Sequence, residues 1–209
     1  VAAMIGAVVT GQLGGNLMVW HGRIGLLIVG LLAFRLAWGL VGSTYARFAQ
    51  FFPSPVRIAA YLRGEWRGEG HNPLAALSVF GLLGLLTVQA ASGLFSNDDI
   101  AFTGPLFSLV DKALSNRLTG LHHLLSNVLI ALVGLHVAAI AYYGRIKKQP
   151  LLKPMVTGWK DDACGESARG GGLVALVIAL SMSFALTYGA SGSWLPAPPP
   201  PAATATPDW

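Results

Sequence analysis

The sequence predicts an all-α integral membrane protein, and three observations carry that prediction. Hydrophobic residues make up 54% of the 209-residue chain and charged residues only 11%, against about 25% charged residues in soluble domains. The mean hydropathy is +0.59. The apolar residues gather in long segments, of the length a helix needs to cross a hydrocarbon core about 30 Å thick, and the basic residues collect in the loops between them. The net charge of +5 therefore follows membrane orientation and is not the footprint of a nucleic-acid partner. The single cysteine, Cys164, excludes an intrachain disulfide, a Cys-x-x-Cys-His attachment motif and a cysteine-held iron–sulfur cluster.

The first apolar segment covers residues 1–10, and ten residues rise only about 15 Å as a helix. It begins with Val1 and no charge precedes it, so the expectation is that the N-terminal half of the first helix is missing from this sequence. A cleaved signal peptide is the alternative, disfavoured because an apolar remnant does not normally follow a cleavage site. The second segment (residues 20–41), the third (73–95) and the fourth (118–143) are long enough to span, and the fifth (171–188) just long enough. Asn72 and Pro73 mark the start of the third.

Orientation follows from Lys and Arg counts. Arg47, Arg57, Arg63 and Arg67 lie between the second and third segments. Arg145, Lys147, Lys148, Lys153, Lys160 and Arg169 lie between the fourth and fifth. The opposite side carries Lys112 and Arg117, offset by Asp98, Asp99 and Asp111. The two basic loops are thus cytoplasmic, and the second and fourth segments begin outside. In the first loop, PSPVRIAAYLRGEW reads either as an interfacial helix or as a plain positive-inside loop. The helix would turn Arg57 and Arg63 to headgroups and Ile58, Tyr61 and Leu62 to lipid. The tail WLPAPPPPAATATPDW is Pro-rich, hence extended and semi-rigid, and is either a plain end or a docking arm.

Ionisable residues inside a membrane are costly and point to function. The stretch LHHLLSNVLIALVGLH places His122 and His136 fourteen residues apart. On a helix that spacing puts both imidazoles within roughly 40° of one face and about 21 Å apart along the axis. His123 points about 140° away from His136 and reads as interfacial. His21 opens the second segment at the depth of His122, on a helix running the same way. Two neutral imidazoles facing each other across a bundle suit the axial positions of a haem iron, and Gly22 and Gly25 leave room beside His21. Arg35 lies fourteen residues after His21, at the depth of His136. It reads either as a partner for a haem propionate or a quinone headgroup, or as an arginine snorkelling to the cytoplasmic surface. His71 lies too shallow to pair with His136, whose partner is expected to be absent from this sequence.

These residues resemble the bacterial di-haem b-type cytochrome family, which includes bacterial cytochrome b561 and the cytochrome b subunit of nickel–iron hydrogenases. The matching pieces are VTGQLG, WHGRIG, FRLAWGLVGSTYARF, GHNPLAAL, SGLFSNDD, LHHLLSNVLIALVGLH and KPMVTGWK, in that order. The resemblance does not clearly extend over the fifth segment and the tail. It implies an integral membrane four-helix bundle holding two haem b groups, to which the fifth apolar segment adds a transmembrane helix of its own. His21 and His122 would ligate the outer haem and His136 one side of the inner haem. The family's fourth ligand, from the first helix, has no match here.

The implied organisation is a haem-binding bundle over residues 1–143, a basic cytoplasmic loop over 144–170, a fifth transmembrane helix over 171–188 and a Pro-rich periplasmic tail over 189–209. The implied function is electron transfer in the bacterial inner membrane, between a quinone pool and a periplasmic redox protein such as a c-type cytochrome or a hydrogenase. The outer carboxylates Asp98, Asp99 and Asp111 would steer a basic partner. A quinone-linked superoxide oxidoreductase of the same fold is the alternative. Two further classes remain as rivals. A proton or ion transporter fits poorly, since the second to fourth segments contain no Asp or Glu; the other is a cofactor-free membrane anchor.

Overall fold

The computed structural model describes residues 1–67, 72–146, 148 and 167–196. His71, Cys164, most of the second basic loop and the Pro-rich tail lie outside the described residues. The described chain is helical, with no strand beyond two isolated bridges. Helix α1 is Ala2–Leu13, α2 Met18–Val41, α3 Pro55–Leu62, α4 Pro73–Leu94, α5 Lys112–Arg145 and α6 Leu173–Ala190. Helices α2, α4, α5 and α6 are long and apolar enough to cross a membrane, and α1 is a shorter apolar helix. The protein is a multi-pass membrane protein.

Helices α3, α4 and α5 start where a polar side chain satisfies a free N–H group of the first turn. Asn72 accepts from Ala75 N–H at 2.8 Å and Pro73 follows at the first helical position. Asp111 accepts from Leu114 N–H at 2.7 Å, so α5 begins six residues before the apolar run that announced it. Its 34 residues rise about 51 Å, well beyond the hydrocarbon thickness of about 30 Å. Ser54 caps α3, accepting from Arg57 N–H at 3.3 Å.

Helix α2 is the hub. Helix α1 packs antiparallel beside it, α4 touches it, α5 packs along α4, and α6 makes the most extensive contact with α2 of any pair. Lipid gives no hydrophobic reward for joining two helices, so close approach and interhelical hydrogen bonds must hold them together. The α2–α6 seam shows both. Ala33 and Ala37 of α2 and Ala179 and Ala190 of α6 are buried, and Ser183 donates to the Gly30 carbonyl at 2.7 Å. The opposite side of α6 carries large apolar residues, with Phe184 75% exposed against 0% for Ala179. That contrast separates a packing face from a lipid face.

Both ends of α6 are tied down. At its start, Thr44 N–H donates to the Arg169 carbonyl at 2.9 Å and Arg169 N–H to Thr44 Oγ1 at 3.1 Å. Gly171 has φ +69°, and a Cβ there would lie 2.8 Å from Ser43 N, so this turn needs glycine for both its conformation and its space. At the other end, Gly192 lies against the Pro105 carbonyl of the α4–α5 loop.

The α3 segment differs in part from the interfacial expectation. It is a helix, and Leu62 is exposed. Tyr61, however, turns to the protein, its hydroxyl 3.4 Å from that of Tyr143 on α5 and its ring 6.0 Å from Trp66. Arg57 is exposed and folds back on the Gln50 and Phe52 carbonyls at 3.3 and 3.4 Å, because its long arm reaches the carbonyls of the chain just before α3.

Candidate haem site

The sequence pairs His21 with His122, and the structure brings the two rings together, 6.0 Å apart between centroids and at 89°. They come from α2 and α5, helices with little direct backbone contact. Both imidazoles are committed at the same atom. His21 Nδ1–H donates to the Ala7 carbonyl of α1 at 2.9 Å. His122 Nδ1–H donates to the Gln89 carbonyl of α4 at 2.9 Å. A carbonyl only accepts, so each Nδ1 carries the proton and each Nε2 keeps its lone pair, as a metal-ligating neutral histidine requires.

Two glycines make space for these rings. A Cβ on Gly11 would lie 2.9 Å from His21 Nδ1, and one on Gly93 would lie 2.8 Å from His122 Cε1. Gly22, expected to leave room for a macrocycle, is instead covered by Phe102 of the α4–α5 loop, 3.2 Å from where its Cβ would be. The loop folds back over α2 at this point. Gly25 does face open space.

Gln89 occupies the remaining nitrogen of His122, its amide Nε2 donating to His122 Nε2 at 3.2 Å. Its Oε1 is then buried without a partner. The amide uses the lone pair of His122 Nε2 that a metal would need, and this pose leaves its own oxygen buried and unsatisfied. Among the described residues, no three His, Cys, Asp or Glu side chains converge to hold a bare metal ion. Two imidazoles are enough only when the metal brings its other ligands, as haem iron does. The residues present therefore fit a bis-histidine haem.

His136 lies on the same continuous α5, with Ser78 Oγ of α4 3.0 Å from its Nδ1. The structure gives it no second imidazole among the described residues. Arg35 is half-buried; its guanidinium lies 4.8 Å over the Phe48 ring and donates to the Ala46 carbonyl at 3.4 Å. It borders a cavity of about 190 Å³ lined otherwise by apolar residues of α1, α2 and α4, among them Met4, Ile28 and Leu83. His123 is exposed, and Arg23 rests over Trp20 at 5.0 Å.

The carboxylates between α4 and α5 all have local tasks. Asp98 accepts from the N–H groups of Ile100, Ala101 and Phe102 at 2.8–2.9 Å, and these bonds, led by that of Phe102, hold its pKa below the usual carboxylate value. Asp99 pairs with Lys112 at 3.0 Å, and Asp111 caps α5. Behind them, buried Asn97 donates to Ser115 Oγ at 2.6 Å and Asn116 Oδ1 at 3.0 Å, fixing the loop on α5.

Ser78, Gln89, Ser92, Gly11 and Gly93 are site residues that the reading of the histidines alone did not reach. A signal was present: Ser78 and Ser92 repeat the fourteen-residue interval of His122 and His136 on the preceding segment.

A membrane bundle that presents two facing imidazoles, each with its Nδ1 proton committed to a backbone carbonyl and a lone pair on Nε2, has the ligand set of a b-type cytochrome. Residues 1–158 match the prokaryotic cytochrome b561 family, and the chain belongs to it. It is a membrane electron-transfer protein that binds b-type haem. The match stops before α6. No curated protein and no solved structure gives a significant match to the chain.

Proposed function

We propose that this cytochrome carries two haem b groups stacked across the bacterial inner membrane. It would pass electrons between the quinone pool and a periplasmic redox protein, such as a c-type cytochrome or a hydrogenase, as the membrane subunit of a respiratory complex. His21 and His122 are the axial ligands of the outer haem, and His136 is one ligand of the inner haem. Bound there, haem iron supplies a one-electron ferric–ferrous couple.

The observation that carries this reading is the His21–His122 pair, 6.0 Å apart with both Nδ1 atoms tied to backbone carbonyls. The chain's own work is to orient these rings, fix their tautomers and exclude water with apolar helix faces. Arg35, which lines the cavity between α1, α2 and α4, offers donors to a propionate or to a quinone carbonyl. The basic loops would face the cytoplasm and the C-terminus the periplasm.

A reduced-minus-oxidised spectrum of the purified protein tests the reading. Two b-type components are expected, His122→Ala and His136→Ala each removing a different one and His123→Ala removing neither. Absence of b-type bands from the wild type would overturn it, and a retained full haem complement in either ligand variant would overturn the assignment.

A further inference from the structure

Helix α4 contributes no imidazole among the described residues, yet it meets His122 and His136 of α5. Its polar residues lie on one stripe. Ser78, Gln89 and Ser92 fall within roughly 60° of each other around the axis. The other hydroxyl at mid-helix, Thr87, lies on the opposite side and bonds back to the Leu83 carbonyl at 2.7 Å. The helices run antiparallel, so the interval from Ser78 to Ser92 matches that from His136 to His122. At the outer end, His122 Nδ1 meets the Gln89 carbonyl at 2.9 Å, with Ser92 Oγ 3.4 Å away. At the inner end, the partner of His136 Nδ1 among the described residues is the Ser78 hydroxyl, at 3.0 Å.

We propose that Ser78 is the positioning residue of the inner haem ligand. Its hydroxyl accepts the Nδ1 proton of His136, which commits Nε2 to iron and holds the ring angle. This inference rests on the haem reading above. A partner on the far nitrogen of a metal-bound histidine fixes the tautomer and raises the basicity of the ligating nitrogen. A hydroxyl oxygen polarises that N–H less than a helix carbonyl does. The α4 stripe therefore builds two unlike ligands from the same side chain: an electron-richer His122 and an electron-poorer His136.

The test uses the full chain in detergent, with redox titration of each b-type component and haem-to-protein stoichiometry. The component that disappears in His136→Ala is assigned as the inner one. In Ser78→Ala the inner haem is expected to bind 10–100-fold less tightly, the range for loss of such a partner. Where it is retained, its midpoint should rise, by about 59 mV for each tenfold loss of preference for the ferric form. The outer component should stay at its wild-type midpoint. Ser78→Thr keeps the hydroxyl and should restore the inner component. A Ser78→Ala protein with both midpoints and both occupancies at wild-type values overturns the proposal. So does an equal disturbance of both components in Ser78→Ala and Ser78→Thr, which would make Ser78 a packing residue. Neither result touches the haem reading, which falls only if the wild type shows no b-type bands.

Discussion

Gly11 and Gly93 stand where a methyl group would meet a histidine ring, at 2.9 and 2.8 Å. Adding one forces the imidazole or the helix to move, and such overpacking costs about 1–3 kcal/mol. On the proposed two-haem assignment, Gly93→Ala should lower the occupancy of the outer haem severalfold while the inner haem is retained, measured as the change in each b-type component per mole of protein. Gly11→Ala should act on the same component, because it presses on the other ring of the pair. The histidines themselves were legible in the sequence, since an imidazole in an apolar segment is conspicuous and helical phase sorts His122 from His123. The glycines were not. The chain has 26 of them, and only the packing of α1 on α2 and α4 on α5 shows which two face a ring. For Arg35 the sequence left a buried role and a snorkelling one open, and its stacking on Phe48 depends on how the following loop folds back.

At the scale of elements, the loop from Phe95 to Val110 turns on Asp98. Its pKa is lowered in the folded protein by the N–H groups of Phe102, Ile100 and Ala101. Its charge thus stabilises the fold above the unfolded value of about 3.9, and that contribution is lost as pH falls through the lower folded pKa. The Tm of Asp98→Ala should lie below that of wild type at pH 6, with the gap closing in strong acid. A gap that persists at pH 2 would assign the effect to shape and not to charge. Helix α6 invites a second test. Gly171→Val combines an unfavourable φ of +69° with a collision at Ser43, and a residue held at such a φ costs about 1–3 kcal/mol. It should lower the melting temperature followed by circular dichroism. The five apolar segments were readable from composition because lipid leaves helices as the only spanning form open to them. The dominance of the α2–α6 contact was not, because a stripe of Ala, Ser and Gly is also how any membrane helix looks.

Across the whole molecule, the distribution of Lys and Arg sets one testable topology. In a Cys164→Ser background, Ile100→Cys, which is 91% exposed, should react with a membrane-impermeant maleimide added to intact cells or spheroplasts. Glu65→Cys should react only after the membrane is opened. The reverse pattern would invert the orientation and with it the assignment of outer and inner haem. The matched intervals on α4 and α5 bear on how such a molecule tolerates its surroundings. Bilayers differ in thickness by several Å, and helices respond by tilting. Here the two histidines sit on one unbroken helix, and their partners sit on the helix beside it. Tilting moves the whole ladder together, so on the two-haem reading proposed above the distance an electron must cover between the two levels would be set by the rise of α5 and would not change with the lipid.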